Sequence, residues 1–450
     1  MDSMKEDRNK NGKARYRIKK GCGCLSIISI VILFILCILQ LPLMFERIRI
    51  SKLNRAVDQL NAQRVIMDPP CGLLDVRGAI HVHSELSHDS MGTLDQILEG
   101  AHALGKRFVI MAEHPEDSAL EMCRNTITGI HDGILFIPGV EMNTPLGGIL
   151  AFGWDHLELS STDPVEETAR RVKSGNGLIF ICHSETWDDW DMPFHGAELF
   201  NLHADFMEQD LLKLFPKIIY SIKRYPYLCF QEAYVFPKER LASWDKVLTK
   251  KVFVGIAGND SHRNVGIRWL RQEDGRIQVV KADGGLIAED VSRPVRIFLN
   301  LVNRNPKDKV VFELILDQYA NSFSYVSTRV WTPDLTKESI MNALRTGKCY
   351  ICYEALANPE GFLFQAIAQD QIALMGDTLP FTEGIELEIR FPIPCAIRLL
   401  KDGELCAEIF GRSLLHRVQG EGVYRVEGWL SLQKQEERLW LLSNPIYIRQ

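Results

Sequence analysis

The alternation of apolar and polar positions changes character twice along the chain. From Leu74 onward, short apolar runs recur at intervals: GAIHVH, RFVIMAEH, ILFIPGVE, LIFICH, AELFNL and VFVGIAGND. Runs of this length, apolar on both faces, predict buried parallel strands. Between them lie segments of helical period such as TLDQILEGAHALG and DPVEETARRVKSG, with Thr93 and Asp163 as N-caps and a glycine closing each. Repeated βα units over this span predict a barrel or a doubly wound sheet. Beyond about residue 300 the texture differs. One helix, TKESIMNALRTG, leads into strictly alternating runs (KCYICYEAL, GFLFQAIA, GIELEIRF, CAIRLLKDG, GVYRVEGWL, PIYIRQ) punctuated by turns such as Lys401-Asp402-Gly403. That pattern predicts a small β-sandwich.

The N-terminal region has a third pattern. Leu25 to Phe45 is 21 residues without a charge, long enough to cross a bilayer as a helix. Residues 1–20 hold eight Lys/Arg against three Asp/Glu, a bias that places this end in the cytoplasm and the remainder outside. The expected organisation is a basic cytoplasmic tail (1–22), a transmembrane signal anchor (23–46), a stalk (47–72), a barrel (73–330) and a β-sandwich (331–450). The formal charge is −6 overall, so the chain beyond residue 20 carries −11. An acidic body argues against nucleic acid as the partner and is compatible with divalent cations. The 11 cysteines are scattered and mostly set in apolar runs, which predicts buried thiols.

The chemistry is concentrated at the ends of the predicted strands. The first ends in His81 and His83, followed by Asp89; the second in Glu113 and His114; the third in Glu141; a later one in His183; the last in Asp260 and His262. On a strand, positions i and i+2 share a face, so His81 and His83 converge. In a βα barrel all these strand ends meet on one rim. Mixed imidazole and carboxylate donors suit Zn, Mn or Fe. Arg263 and Trp187, beside the last motif and His183, are candidate substrate-binding residues.

These motifs resemble those of the PHP (polymerase and histidinol phosphatase) superfamily: His81-Val82-His83 with Asp89, Ala112-Glu113-His114, Gly139-Val140-Glu141, Cys182-His183 and Gly258-Asn259-Asp260-Ser261-His262. The tail is similar to the branch related to carbaryl hydrolase, through Ala343-Leu344-Arg345-Thr346-Gly347 and Asn444-Pro445-Ile446-Tyr447-Ile448. The resemblance implies a distorted (β/α)7 barrel holding two or three divalent ions. His81, His83, Glu141 and Asp260 would surround one ion, and Glu141 would bridge to a second that also uses His183. Asp89, His114 and His262 would serve a third ion or acid–base catalysis. Glu113, also counted a ligand, stands where the family has Asp, and Gly148 where many members have another His. Such a site hydrolyses by lowering the pKa of a bridging water and neutralising charge on the attacked group. The expected function is a membrane-anchored, metal-dependent phosphoesterase acting on a small-molecule substrate. The alternatives are hydrolysis of carbamates, amides or esters, and a non-catalytic metal-dependent receptor.

Overall fold

The computed structural model describes residues 38, 40–42, 44–302, 309–369, 371–433 and 436–450. The chain divides into two units, Met1–Lys52 and Leu53–Gln450. In the first, residues 44–52 are helical. The apolar run Leu25–Phe45 lies mostly outside the described residues, among which no helix is long and apolar enough to cross a membrane.

The second unit is a mixed α/β structure. Its ring is built from β1 (Leu74–Val82), β2 (Phe108–Met111), β3 (Ile134–Ile137), β4 (Gly139–Thr144), β5 (Gly147–Phe152), β6 (Leu178–Ile181), β7 (Gly196–Asn201) and β8 (Val254–Gly258). β1, β2 and β3 pair in parallel, as do β6, β7 and β8. Pro138 separates β3 from β4, which act as one stave. The Glu113 and Glu141 amides donate to the Gly139 and Glu113 carbonyls, carrying the pairing from β2 onto β4. The Asn259 amide donating to the Ile80 carbonyl at 2.7 Å, and His83 N to Ser261 O at 3.1 Å, close the ring between β8 and β1.

β5 departs from the expected alternation: it runs antiparallel to both β4 and β6. The Pro145-Leu146 turn, tied by the Thr144 hydroxyl donating to the Gly147 carbonyl, makes β4–β5 a hairpin where βα repeats predict a helix. Because β5 is reversed, its first residues reach the same rim as the last residues of the other staves.

Alternate side chains point inward: Ile80, Phe108, Ile110, Leu135, Ile137, Leu150, Phe152, Leu178, Phe180, Val254 and Ile256 form one buried cluster. The interior is therefore packed. Gly78 is one position where a side chain cannot fit, since a Cβ there would lie 2.0 Å from the Phe108 ring. Helices α1 (Leu94–Ala103), α2 (Val165–Ser174), α3 (Leu202–Met207), α4 (Leu211–Ile222) and α5 (Lys238–Leu248) connect the staves. On α1 the expected Thr93 cap is present, with the Thr93 amide donating to the Gln96 side chain.

Strands Gly266–Arg271, Ile277–Lys281, Leu286–Ala288 and Val310–Ile315 form an antiparallel sheet accompanied by the helix Arg293–Val302, a unit the apolar pattern does not announce. After it, β9 (Ser327–Thr332) pairs antiparallel with β1 and β10 (Cys349–Cys352) with β9, so the C-terminal antiparallel strands continue the barrel sheet across residue 330. Between β9 and β10, α6 (Lys337–Thr346) places Ile340, Met341 and Leu344 in the cluster that fills the ring. The Asn444 amide donates to the Gly255 and Cys349 carbonyls. The C-terminal strands thus pack on the end of the barrel opposite the histidine-bearing rim. The expected stalk is also engaged: Leu53 and Val57 are buried in the core, and the Asn61 side chain accepts from the Asn358 amide.

Candidate metal centre

The rim begins with backbone that side chains rarely adopt. His81 has φ 67°, His183 φ 47° and Asp260 φ 46°, all left-handed. Such conformations cost about 1–3 kcal/mol each and persist where surrounding structure enforces them. At His81 the β1–β2 register shifts between Ile80 and Val82. This irregularity, not plain strand alternation, turns the His81 ring toward His83, with centroids 5.1 Å apart.

The donors form two groups: His81, Glu141, His183 and Asp260 in one, and His83, His114 and His262 in the other. His81 Nε2 lies 2.9 Å from Glu141 Oε2 and 3.6 Å from Asp260 Oδ1; His183 Nε2 lies 3.0 Å from Glu141 Oε1 and 3.5 Å from Asp260 Oδ2. Glu141 Oε2 is also 3.4 Å from His83 Nε2 and 3.6 Å from His114 Nε2, so this carboxylate faces both groups. Asp89 Oδ2 stands 3.5 Å from His114 Nε2 and 3.4 Å from His262 Nε2. Ligands around a tetrahedral ion with bonds of about 2.0–2.1 Å are separated by roughly 3.3 Å, and these separations bracket that value. His83 Nε2, Asp260 Oδ1 and Asp89 Oδ1 are buried with no hydrogen-bond partner. Orphaned buried acceptors of this kind are costly unless something binds them, so the donor set fits one or two cations.

Electrostatics point the same way. Burial raises the Glu141 pKa, yet the His81 charge and hydrogen bonds from His183 and His81 hold the carboxyl well below its ordinary value. Burial lowers His81, but Glu198, Asp260 and Glu141 outweigh it and raise its pKa well above normal. Against the same burial, hydrogen bonds to Glu141 and Glu185 push His183 up to about 11. His83 goes the other way, to about 3, through burial and the neighbouring His262 charge. The carboxylates demand positive charge and the imidazoles supply it as protons. A divalent ion can replace those protons, which couples binding to proton release.

A second layer holds the donors in place. Glu198 Oε1 is 2.7 Å from His81 Nδ1, while its other oxygen accepts from Asn201 Nδ2 at 3.1 Å. A proton on Nδ1 leaves the Nε2 lone pair facing Glu141 and Asp260, the arrangement in which a carboxylate orients a metal-binding histidine. Asn201 also caps α3 by accepting from the Ala204 amide. Ser87 Oγ lies 3.3 Å from His83 Nδ1 and so orients that ring. Neither Glu198 nor Ser87 stands at the end of an apolar run, so the sequence pattern does not single them out. The fold makes room for Glu198 at Gly258, where a Cβ would lie 2.1 Å from its Oε1.

Three expected roles change. Glu113 joins neither donor group. Its oxygens accept from the Ser84 amide, Ser84 Oγ and Ser87 Oγ, so its lone pairs are spent bracing the loop after β1. Trp187 does not line the mouth: it is 6% exposed, its Nε1 donates to the Gly148 carbonyl at 3.1 Å and its ring covers Gly147. A large apolar ring with a satisfied N–H belongs in the wall. Arg263 lies 3.7 Å from Glu313 and is not among the residues lining the cavity beside the donors. His114 and His262 are gathered with His83 as donors, leaving Asp89, which borders the adjoining cavity, as the acid–base candidate of that trio. At Gly148 a Cβ would meet Cys182 Sγ at 2.8 Å, so β5 contributes backbone alone.

No family model matches the chain, and no curated protein matches it. Among solved structures it is distantly similar to a two-domain protein from Bacteroides vulgatus containing a predicted PHP-like metal-dependent phosphoesterase. That likeness has 11% identity and a TM-score of 0.34, and covers 84% of this chain and 98% of that one. It is similar also to a protein from Bifidobacterium adolescentis inferred to be a metal-dependent phosphoesterase, at 13% identity and a TM-score of 0.27, covering 43% of this chain and 89% of that one.

Proposed function

We propose that the rim is the active site of a metal-dependent hydrolase, and that its substrates are phosphoesters. The observation carrying this reading is Glu141, whose two oxygens face His183 at 3.0 Å on one side and His83 and His114 at 3.4 and 3.6 Å on the other. His81, Glu141, His183 and Asp260 would hold one divalent ion; His83, His114 and His262 would hold a second. Bound ions of this kind acidify water and neutralise charge on the attacked group. The chain's own residues do the rest. Glu198 fixes the His81 tautomer, Ser87 and Glu113 fix the loop that carries His83, and Asp89 at the cavity edge accepts a proton from the attacking water. The motif resemblance favours phosphoesters. The cavity beside Asp260 has no Lys or Arg among its described lining residues, which favours the second reading, hydrolysis of a neutral ester, amide or carbamate.

The test is turnover by the full chain, purified in detergent and loaded with Mn or Zn, on an aryl phosphate and an aryl carbamate. Phosphate turnover that disappears on chelation and in Asp260→Asn supports the proposal. Turnover of the carbamate alone replaces it with the second reading, and bound metal without turnover of either makes the rim a receptor site. Membrane anchoring by Leu25–Phe45 is a separate proposal, supported by the charge-free run and the basic residues before it. Release of the protein from membranes on deleting 1–52, against retention of the full chain through a carbonate wash, tests it.

A further inference from the structure

Beside the donors lies a cavity of about 240 Å³ that the metal chemistry does not use. It opens on Asp89, Asp260 and His262 at one end, and the rest of its wall is largely apolar: Leu202 and Phe206 from α3, Ile218 from α4, and Phe230 and Leu316 beyond. Leu202, Ile218, Phe230 and Leu316 are each at most 6% exposed, so this part of the wall belongs to the packed core, while the exposed Met207 and Val265 form its open side. An engineered apolar cavity of roughly 150 Å³ already admits benzene, so this one has room for a substituted ring or a branched alkyl group.

Two polar groups of the chamber are committed to the chain itself. The Asp317 carboxylate accepts from the Asn264 amide at 2.9 Å and the Val265 amide at 3.0 Å, and Asn264 Nδ2 donates to the Asp89 carbonyl at 2.9 Å. No Lys or Arg is among the described lining residues to meet a second phosphate or a carboxylate, while Asp89, Asp260 and Asp317 would repel one. His203 stands where chamber and donors meet: it lines the cavity and its ring centroid is 6.0 Å from that of His183.

We infer that this chamber selects the substrate: the group carried next to the scissile bond is apolar and uncharged, the size of a small aromatic or branched alkyl unit. The inference rests on the rim being a hydrolytic metal centre, and names the class of ester that centre accepts. It disfavours nucleotides and sugar bisphosphates, whose additional charges would enter an acidic and largely apolar space without Lys or Arg.

The experiment compares matched ligand pairs on the Mn-loaded full chain by calorimetry: phenylphosphonate against methylphosphonate, and phenylacetohydroxamate against acetohydroxamate. Each pair shares its metal-binding head and differs in apolar bulk. The expected result is a preference of roughly tenfold or more for the phenyl member, abolished when Leu316→Trp fills the chamber and reduced when Phe206→Ala removes part of its wall. The small member of each pair should bind both variants as it binds the wild type. Equal affinity within both pairs, with metal bound and turnover intact, overturns the inference and leaves the hydrolase reading standing. A phenyl preference among hydroxamates with no phosphonate binding keeps the inference and removes phosphoesters as the substrate. Phenyl preference that survives unchanged in both variants places the apolar contact outside this chamber and overturns the inference.

Discussion

Strand β1 carries buried charge at both ends, and the two ends are built in opposite ways. At its start, Asp75 accepts from Arg329 at 2.9 Å and from the Tyr350 hydroxyl at 2.7 Å. Arg329 also reaches Glu354 at 2.6 Å, Arg77 meets Glu354 at 3.0 Å, and the buried Lys106 donates to Ser327. Here the charged groups have partners of opposite sign or a hydrogen-bonding one. At the other end, His81 and His83 face carboxylates with acceptor atoms left over, and the backbone is left-handed at His81, His183 and Asp260. Both ends bury charged groups, and they differ in satisfaction. A buried network whose charges have partners is structure, whereas one whose lone pairs converge unspent is a receptor for cations.

The sharpest way to break this comparison is to remove one carboxylate from the unspent end. Asp260→Asn should cost at least one equivalent of bound metal, measured by plasma mass spectrometry. Turnover should fall roughly 10³-fold, since such ions supply several kcal/mol of transition-state stabilisation. Metal at about 100 times its dissociation constant should stabilise the wild type by about 2.7 kcal/mol, and this increment should vanish in the variant. If Asp260→Asn keeps both the metal and the increment, the donor groups have been misread. Arg329→Met probes the other end. It leaves Asp75 and Glu354 buried without their guanidinium, and should cost about 3–5 kcal/mol of unfolding free energy by denaturant titration. The metal increment should be unchanged. A loss of metal together with stability would show that the two ends are not independent.

The residues at the rim were legible because apolar runs end there in His, Glu or Asp, and such endings are conspicuous in a buried strand. Their grouping was less so. His81 and His83 were expected to converge by alternation, but a register shift and a left-handed residue bring them together, and neither leaves a mark in the apolar pattern. Glu113 and His114 look equally like ligands; only the Ser84 and Ser87 hydroxyls, which occupy the Glu113 oxygens, separate them. Glu198 carries no such mark, because it lies inside AELFN and not at the end of its apolar run. The reversed β5 was hidden for a related reason: GGILAF is as apolar as its neighbours, and direction is set by a short turn whose residues carry little signal. Trp187 follows His183 closely in sequence, which makes it look like a residue of the mouth; the acidic loop Asp188-Asp189 after it is exposed, yet the indole itself is core.

Glu198→Gln refines the comparison at the unspent end. Glutamine keeps the shape that Gly258 accommodates but presents an amide where His81 Nδ1 needs an anion. Metal affinity should fall about 10–100-fold, read by competition with a chelating dye, while the fold persists. An unchanged affinity would mean that the His81 ring is oriented by packing alone.

The smallest effect belongs to Trp187. Its Nε1 bond to the Gly148 carbonyl ties the wall of the barrel to the start of β5 and faces neither donor group. Trp187→Phe deletes that donor and part of the ring, and should cost about 1 kcal/mol or slightly more of stability, while kcat/KM stays within about twofold of the wild type. Reduced stability with intact kinetics keeps this residue in the same class as Arg329, a group whose partners are already in the protein. A rise in KM without loss of stability would move it to the other class and return the acidic tryptophan loop to the substrate path.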